Sequence, residues 1–309
     1  MRPTRRALLS GLAGAASGLA VIPRAGAVPP GTTAFRGLYR PPGFPRLADH
    51  PLTEFLADAY HLDGSAYSVV QGAAGAPLFG FSLRGYPYRT QFAAFSPAVT
   101  AAGQGCGFNG SSQYVYTSIG AGTGPWRSSP AQQTMLVVAQ VNAQQPAAQT
   151  LMGIEGHAVL RRASLQVAAN STNFALNWVT NNTTTGNFSQ SVVLGEPFAA
   201  ALTLDCNAGT ASLFYGQAKS TISGPTKVVT QWDETNFGNS VVAGVNQNNY
   251  LAGVVLFGAA WNTVLPDSVV FDLLQDPFTF LVFPDDDLMA ELVGATTVAH
   301  RIGAHGFPR

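Results

Sequence analysis

Charge is scarce in this sequence. Only 10% of its 309 residues are Asp, Glu, Lys or Arg, where globular chains usually carry about 25%. That shortage excludes a coiled coil, which draws on Glu, Lys and Arg. The 46% hydrophobic content excludes a disordered chain, which is poor in apolar residues. A formal net charge of zero leaves no basic face for nucleic acid. Cysteine is nearly absent, with only Cys106 and Cys206. Two thiols do not make a zinc site, and no His stands at metal-ligand spacing. There is no apolar run of membrane-spanning length either. Stretches such as 250–261 are short and interrupted by glycine, well below the ~20 residues a helix needs to cross a bilayer.

What charge there is falls unevenly. Residues 1–27 read as an export signal: Arg2, Arg5 and Arg6 open it, an apolar run over 11–22 follows, and Ala25-Gly26-Ala27 supplies small residues for cleavage. The run Thr4-Arg5-Arg6-Ala7-Leu8-Leu9 is similar to a twin-arginine signal. Cleavage removes Arg2, Arg5, Arg6 and Arg24, leaving 12 basic against 16 acidic residues. The mature chain is then slightly acidic and is expected in the periplasm or outside the cell. Export permits a bridge between Cys106 and Cys206. Folding before export in a reducing compartment, as twin-arginine substrates do, argues against an obligatory one. Two separate buried thiols are the alternative.

Residues 28–48 hold Pro29, Pro30, Pro41, Pro42 and Pro45. Proline fixes φ and lacks a donor, so this is an extended arm. From about residue 50 short apolar runs alternate with turns. Candidate strands lie at 111–119, 134–141, 163–168, 173–179, 198–204, 211–215, 241–245, 251–257, 268–271 and 279–283. Short helical turns are also compatible with 51–60 and 266–274. The run 205–209 reads as a hairpin turn. The series predicts an all-β sandwich or barrel. Residues 90–126, 128–154, 163–195 and 235–266 contain no charged side chain. Their polarity comes from Ser, Thr, Asn and Gln, the neutral donors and acceptors that suit sugar hydroxyls.

Several segments together carry a resemblance. Asp49-His50-Pro51-Leu52 with Phe55 to Tyr60 is similar to the opening strand of laminin-G-like, concanavalin A-like domains of bacterial and phage proteins. Gly107-Phe108-Asn109-Gly110, followed by Tyr114-Val115, resembles their strand-turn-strand. Ala200 to Asp205 with Leu213 to Gln217 resembles their central hairpin, although Tyr215-Gly216-Gln217-Ala218 departs from the usual Y-x-[ND]-G ending. Trp261-Asn262, Leu265-Pro266 and Asp276-Pro277-Phe278 resemble the closing block. The resemblance implies a two-sheet antiparallel jelly-roll sandwich over residues 49–284, with 285–309 as a tail. It also implies that Phe108, Tyr114, Leu202, Tyr215 and Trp261 are mainly structural.

Fold alone does not settle function, and catalytic patterns are thin. A retaining glycosidase needs two carboxyl groups about 5 Å apart. Jelly-roll glucanases space them along one strand as Glu-x-Asp-x-x-Glu, and no such run occurs. The chain has five glutamates: Glu54, Glu155, Glu196, Glu234 and Glu291. Asp233 and Glu234 are adjacent, so on a strand they point to opposite faces. His157 beside Arg161 and Arg162 is a generic lyase-like grouping, better read as a surface or satisfied histidine. No G-x-S-x-G, H-E-x-x-H or phosphate loop is present. Calcium, which some relatives hold at the sandwich rim, would call on Asp205 with Asn207 or on Asp285-Asp286-Asp287; no cofactor is expected otherwise. Stacking on sugar requires flat aromatics. Trp126, Trp178, Trp232 and Tyr250 are the candidates, the last beside Asn246-Gln247-Asn248-Asn249.

These observations point to an exported non-catalytic module that binds glycans or a surface protein. A carbohydrate-active hydrolase or lyase on the same fold, or a structural subunit, are the alternatives. The oligomeric state is not encoded in any visible pattern.

Overall fold

The computed structural model describes residues 45–62, 83, 89–93, 96–118, 131–155, 161–180, 182–225, 234–242, 245–246 and 248–283. In chain order the strands are β1 (Arg46–Leu47), β2 (Leu56–His61), β3 (Arg89–Ala93), β4 (Ser96–Thr100), β5 (Gly103–Asn109), β6 (Tyr114–Ser118), β7 (Gln132–Val141), β8 (Gln149–Glu155), β9 (Arg161–Val167) and β10 (Asn173–Thr180). They continue as β11 (Asn182–Ser191), β12 (Pro197–Asp205), β13 (Thr210–Tyr215), β14 (Ala218–Ser223), β15 (Glu234–Phe237), β16 (Val241–Val242), β17 (Val245–Asn246), β18 (Ala252–Trp261) and β19 (Leu281–Val282). A 3-10 turn spans Pro51–Thr53, and one α-helix, α1, spans Asp267–Gln275.

Two large antiparallel sheets form the sandwich. One runs β11-β10-β9-β8-β15-β6-β3; the other runs β14-β13-β12-β7-β18-β5-β4, with β2 also paired to β18. The fold is therefore an all-β sandwich, one of the two options the strand pattern left open, and has the two antiparallel sheets that the resemblance implies. The long β18 makes the second sheet continuous: its first half pairs β5 and its second half pairs β2 along the same edge.

The two sheets differ in how their faces are covered, and this explains their sequences. In β7, Met135, Val137, Ala139 and Val141 enter the core between the sheets. The alternate residues Leu136 and Val138 lie on the opposite side, in a second core with Val270, Leu273 and Leu274 of α1 and with Phe278 and Phe280. A sheet buried on both faces reads as continuous apolar runs, which accounts for TMLVVAQV, FAAALTL and GVVLFGAAW. Edge-to-face rings tie this layer down, with centroids 5.3 Å apart for Phe214 and Phe271, 5.4 Å for Phe257 and Phe278, and 5.6 Å for Trp261 and Phe280. The seven-stranded sheet alternates instead. Ala163, Leu165 and Val167 of β9 and Phe174, Leu176 and Trp178 of β10 face the core. Ser164, Gln166, Ala175 and Asn177 face the other way.

Turns follow from side-chain chemistry. Asn109 Oδ1 accepts from the N–H groups of Ser111 and Ser112, both at 3.0 Å, and Gly110 takes φ 75°. An Asx-type turn of this kind carries the chain from β5 in one sheet to β6 in the other. Asp205 Oδ1 accepts from Asn207 N–H at 2.9 Å and Ala208 N–H at 3.0 Å, closing the β12–β13 hairpin. Trp261 Nε1 donates to Leu52 O at 2.8 Å, pinning the 3-10 turn to β18.

Two readings need correction. Residues 268–271, one of the candidate strands, belong to α1, the other option the sequence left open. Pro266 precedes a helix whose buried residues Val270, Leu273 and Leu274 recur at helical, not strand, spacing. Over 51–60 only Pro51–Thr53 is helical, and Leu56–His61 is strand. Of the residues that the resemblance makes structural, Phe108, Leu202 and Trp261 are buried, while Tyr114 and Tyr215 are half-buried. The export signal, most of the Pro-rich arm and the tail lie outside the described residues; the end of the arm forms β1, which pairs with β19.

Candidate functional site

The outward face of the seven-stranded sheet is where the polar residues gather. Register partners on neighbouring antiparallel strands share a face, with Cβ atoms about 5 Å apart. Glu155 on β8 pairs in register with position 162 of β9 on one side and position 234 of β15 on the other. The next rung on the same face holds Asn177, Ser164, Gly153 and Asn236. Thr150 and Gln166 follow, joined by a 3.1 Å bond from Gln166 Nε2 to Thr150 Oγ1.

These polar residues are buried: Thr150, Glu155, Ser164 and Asn236 are at 0% exposure, Gln166 at 2% and Asn177 at 9%. Burying an amide, hydroxyl or carboxylate costs free energy unless partners are supplied. One partner comes from the segment after β15. Gly238, at φ 78°, turns the chain back, and Ser240 Oγ donates to Glu155 Oε1 at 2.5 Å. The segment returns to the sheet at Asn249, whose carbonyl accepts from Thr150 N–H at 3.0 Å, and Asn239 Oδ1 accepts from Asn249 N–H at 2.9 Å. Between these anchors lies the β16–β17 hairpin. A glycine is needed at 238 for space as well as for φ, since a Cβ there would stand 2.4 Å from the Phe108 ring.

Gly153 marks the centre of the face. A Cβ on it would lie 3.2 Å from Ser164 Cβ and 3.3 Å from Glu155 Oε1. The serine and the carboxylate thus converge on one spot. Among the described residues, Ser164 Oγ has no hydrogen-bond partner.

The candidate aromatics separate. Trp178 is 2% exposed and packs in the core between the sheets, opposite Ala163 in register; it offers no ring to a ligand. Tyr250 is half-buried on the fold-back segment, next to Asn249. Trp126, Trp232, His157 and Asp285-Asp286-Asp287 lie outside the described residues. Asp205 closes its turn through Oδ1, and its Oδ2 accepts from Gln132 Nε2 at 2.9 Å. Burial raises its pKa, and the bonds from Ala208, Gln132 and Asn207 outweigh that, so the carboxyl sits below its ordinary value. Among the described residues no three His, Cys, Asp or Glu side chains converge in a metal-binding group.

The bridge between Cys106 and Cys206 does not form in this fold: both are buried thiols outside any disulfide. Register explains why. Cys106 aligns through Val255 and Ala139 with Phe198 on β12, and Cys206 lies eight residues further along. Three strand spacings and eight residues of rise separate them by about 30 Å, where a disulfide needs Cα atoms within roughly 7 Å. Burial, and then the neighbouring Asp205 charge, raises the Cys206 thiol to about 11.

The buried polar grouping on this face, Thr150, Glu155, Ser164, Gln166 and Asn236, is what sequence reasoning missed. It spans β8, β9 and β15, so motif spacing along one strand carries no trace of it.

No protein-family model matches the chain, and no curated protein resembles it in sequence. Solved structures do share its fold. Domain 4 of AbnA, a GH43 extracellular arabinanase from Geobacillus stearothermophilus, in complex with arabinotriose, is similar at 16% identity and a TM-score of 0.51, over 71% of this chain and 98% of that one. A mutant Trypanosoma rangeli sialidase displaying trans-sialidase activity is similar at 13% identity and a TM-score of 0.51, over 73% of this chain; the chain spans 33% of that protein. The CBM40 of a Ruminococcus gnavus IT-sialidase, bound to α2,3 sialyllactose, is similar at 15% identity and a TM-score of 0.41, over 47% of this chain and 83% of that one. At these identities the likeness is one of fold.

Proposed function

We propose that this chain is an exported glycan-binding protein and that it binds on the outward face of the seven-stranded sheet. The observation that carries this reading is the composition of that face. Asn177, Ser164, Gln166, Thr150 and Asn236 line that face with neutral amides and hydroxyls, buried beneath the segment that folds back over it. Such groups match sugar hydroxyls, which both donate and accept. Tyr250, on the segment that folds back toward this face, supplies the ring for stacking against a sugar. The arabinotriose complex of a similar sandwich domain supports the same reading. Residues 1–27 carry the expectation of export, and an exported chain would meet polysaccharide in the periplasm or beyond.

The reading is tested on a glycan array with the purified chain and with its Asn177→Ala and Tyr250→Ala variants. Retention of a defined set of oligosaccharides is expected, weakened about tenfold or more in each variant, as loss of one good polar or stacking contact implies. A wild-type protein that retains no glycan overturns the reading.

A further inference from the structure

We propose, resting on that reading, that the glycan site opens at one end of the sandwich and selects uncharged oligosaccharides over acidic ones. The polar side chains of the sheet face are themselves covered. Their rung at Thr150 and Gln166 stands one residue from the start of β8 and one from the end of β9. Just beyond it lie the β7–β8 and β9–β10 surface loops, 142–148 and 168–172. The β5–β6 and β11–β12 loops reach the same end, since Asn109 pairs with Ala252 and Pro197 with Gln140. Backbone hydrogen bonds join these loops into one surface. Gly110 N–H donates to Leu251 O, Asn142 N–H to Ala252 O and Asn170 N–H to Gln145 O, each at 2.8 Å, and Val192 N–H donates to Thr172 O at 2.9 Å. A Cβ on Gly110 would lie 2.7 Å from Gln145 Nε2, so the Gln145 amide reaches across to the β5–β6 turn. Gln145 thereby ties three loops together.

The side chains offered at this end are of one kind. Asn142, Gln144 and Asn170 are exposed and Gln145 is half-buried. An amide both donates and accepts, as a sugar hydroxyl does. Among the described residues, the side-chain amides of Gln145 and Asn170 have no hydrogen-bond partner, and the tied backbone fixes where they stand. Groups held in place before binding lose little freedom on binding. Tyr250 links this surface to the covered face. It stands between Asn249, whose carbonyl accepts from Thr150 N–H, and Leu251, whose carbonyl accepts from Gly110 N–H. Met and Arg, which are enriched in protein interfaces, do not occur in 109–113, 142–148, 168–172, 192–196 or 248–250. Charge then decides the ligand class. In those same segments the one charged residue is an acid, the exposed Glu196. Lys219 of β14 is turned to the α1 side of its sheet, over the Phe214 ring, where its Nζ donates to Asp267 Oδ2 at 2.8 Å. A carboxylate or sulfate on the ligand would give up water with no described cation to replace it, on a surface that already carries Glu196.

The test uses the purified full chain on an array that holds neutral oligosaccharides of glucose, xylose, mannose and arabinose beside sialylated, uronate-containing and sulfated ones. Neutral members are expected to be retained about tenfold or more better than acidic ones of the same core. Calorimetry with a retained neutral oligosaccharide should give an affinity that changes less than about twofold between low and high salt, because no ion pair forms. Gln145→Ala should weaken that affinity about three- to tenfold. Asn170→Gly should do the same, glycine being at ease at the positive φ of 50° found there. Neither variant should move the midpoint of thermal unfolding. Hydrogen exchange on the wild type checks the placement without any substitution: bound oligosaccharide should slow exchange in 142–148 and 168–172. Neutral-glycan binding that leaves both variants and both loops unaffected overturns this inference and leaves recognition elsewhere on the sheet face standing. Preferential retention of acidic glycans overturns the selection by charge. A wild type that retains no glycan overturns the underlying reading, and this inference with it.

Discussion

Single side chains decide where this chain turns and where it concentrates polarity. Asp205 shows both. Its carboxylate accepts two backbone N–H groups and a glutamine side chain, and these bonds hold its pKa below the ordinary value of 3.8 despite the opposing effect of burial. The sign of the linkage follows. A carboxylate with a depressed folded-state pKa stabilises the fold fully above its unfolded value, and that stabilisation is lost as pH falls through the folded value. Asp205→Asn keeps an acceptor for the turn but removes the charge. The variant should therefore lose less stability than the wild type between pH 5 and pH 2, measured by urea unfolding at each pH. Identical pH profiles for the two proteins would show that the turn is insensitive to the charge. Asp205 was legible in the sequence as a turn-former because its turn partners, Asn207 and Ala208, lie within three residues. The buried grouping of Glu155, Ser164 and Asn236 was not legible, because it exists only through strand pairing across the sheet. The same limit applies to Trp178: its ring belongs to the core by register, and a strand pattern alone does not say which face is the inner one.

Elements were legible in proportion to how apolar they are. β7, β12 and β18 are buried on both faces and appear as uninterrupted hydrophobic runs, and β9 and β10 show the period-2 alternation of a half-covered sheet. β3, β4, β8 and β15 matched none of the candidate strands, and neither did β11 (NTTTGNFSQS) and β14 (AKSTIS). The last two are edge strands, and a polar edge guards against pairing with another chain, which erases the hydrophobic signal. The α1 region read as strand or helix because four residues are too few to separate the two periods. What fixes α1 is the apolar back of the second sheet, which Val270, Leu273 and Leu274 cover. Leu273, at 1% exposure, is the clearest test of that role. Leu273→Ala should cost about 2–4 kcal/mol and lower the midpoint of thermal unfolding by roughly 5–15 °C. The exposed ion pair between Lys219 and Asp267, 2.8 Å apart, ties β14 to the start of the same helix. Lys219→Ala should cost under about 1 kcal/mol and lose its effect at high salt. Equal effects from the two substitutions would mean that α1 is held by its charged end instead of by its buried face.

At the scale of the whole molecule, the sandwich leaves one sheet free to specialise. The eight-stranded sheet is committed on both faces, to the inter-sheet core and to the α1 layer. Among the described residues, polar side chains collect on the outer face of the seven-stranded sheet, which is where the proposed recognition site falls. The scarcity of charge has the same origin: most of the chain is either core or uncharged sheet surface. The two cysteines report on the integrity of this arrangement. They sit about 30 Å apart, Cys106 in β5 near one edge of the eight-stranded sheet and Cys206 just after β12, and each is buried in the core between the sheets. The Cys206 thiol, raised to about 11 by burial and then by Asp205, is protonated at neutral pH and so is a poor nucleophile. Neither thiol should react readily with a disulfide reagent in the native protein at pH 7, and both should react once the chain is unfolded in guanidinium. Because the two probes lie in distant parts of one core, a cooperative sandwich opens both together. Their modification should follow a single transition as denaturant rises, detected as doubly modified protein by intact mass with little singly modified species. A stable singly modified form would show that the two ends of the sandwich unfold independently. A protein that yields no thiols on unfolding would mean that the cysteines are bridged, against the register of the sheet.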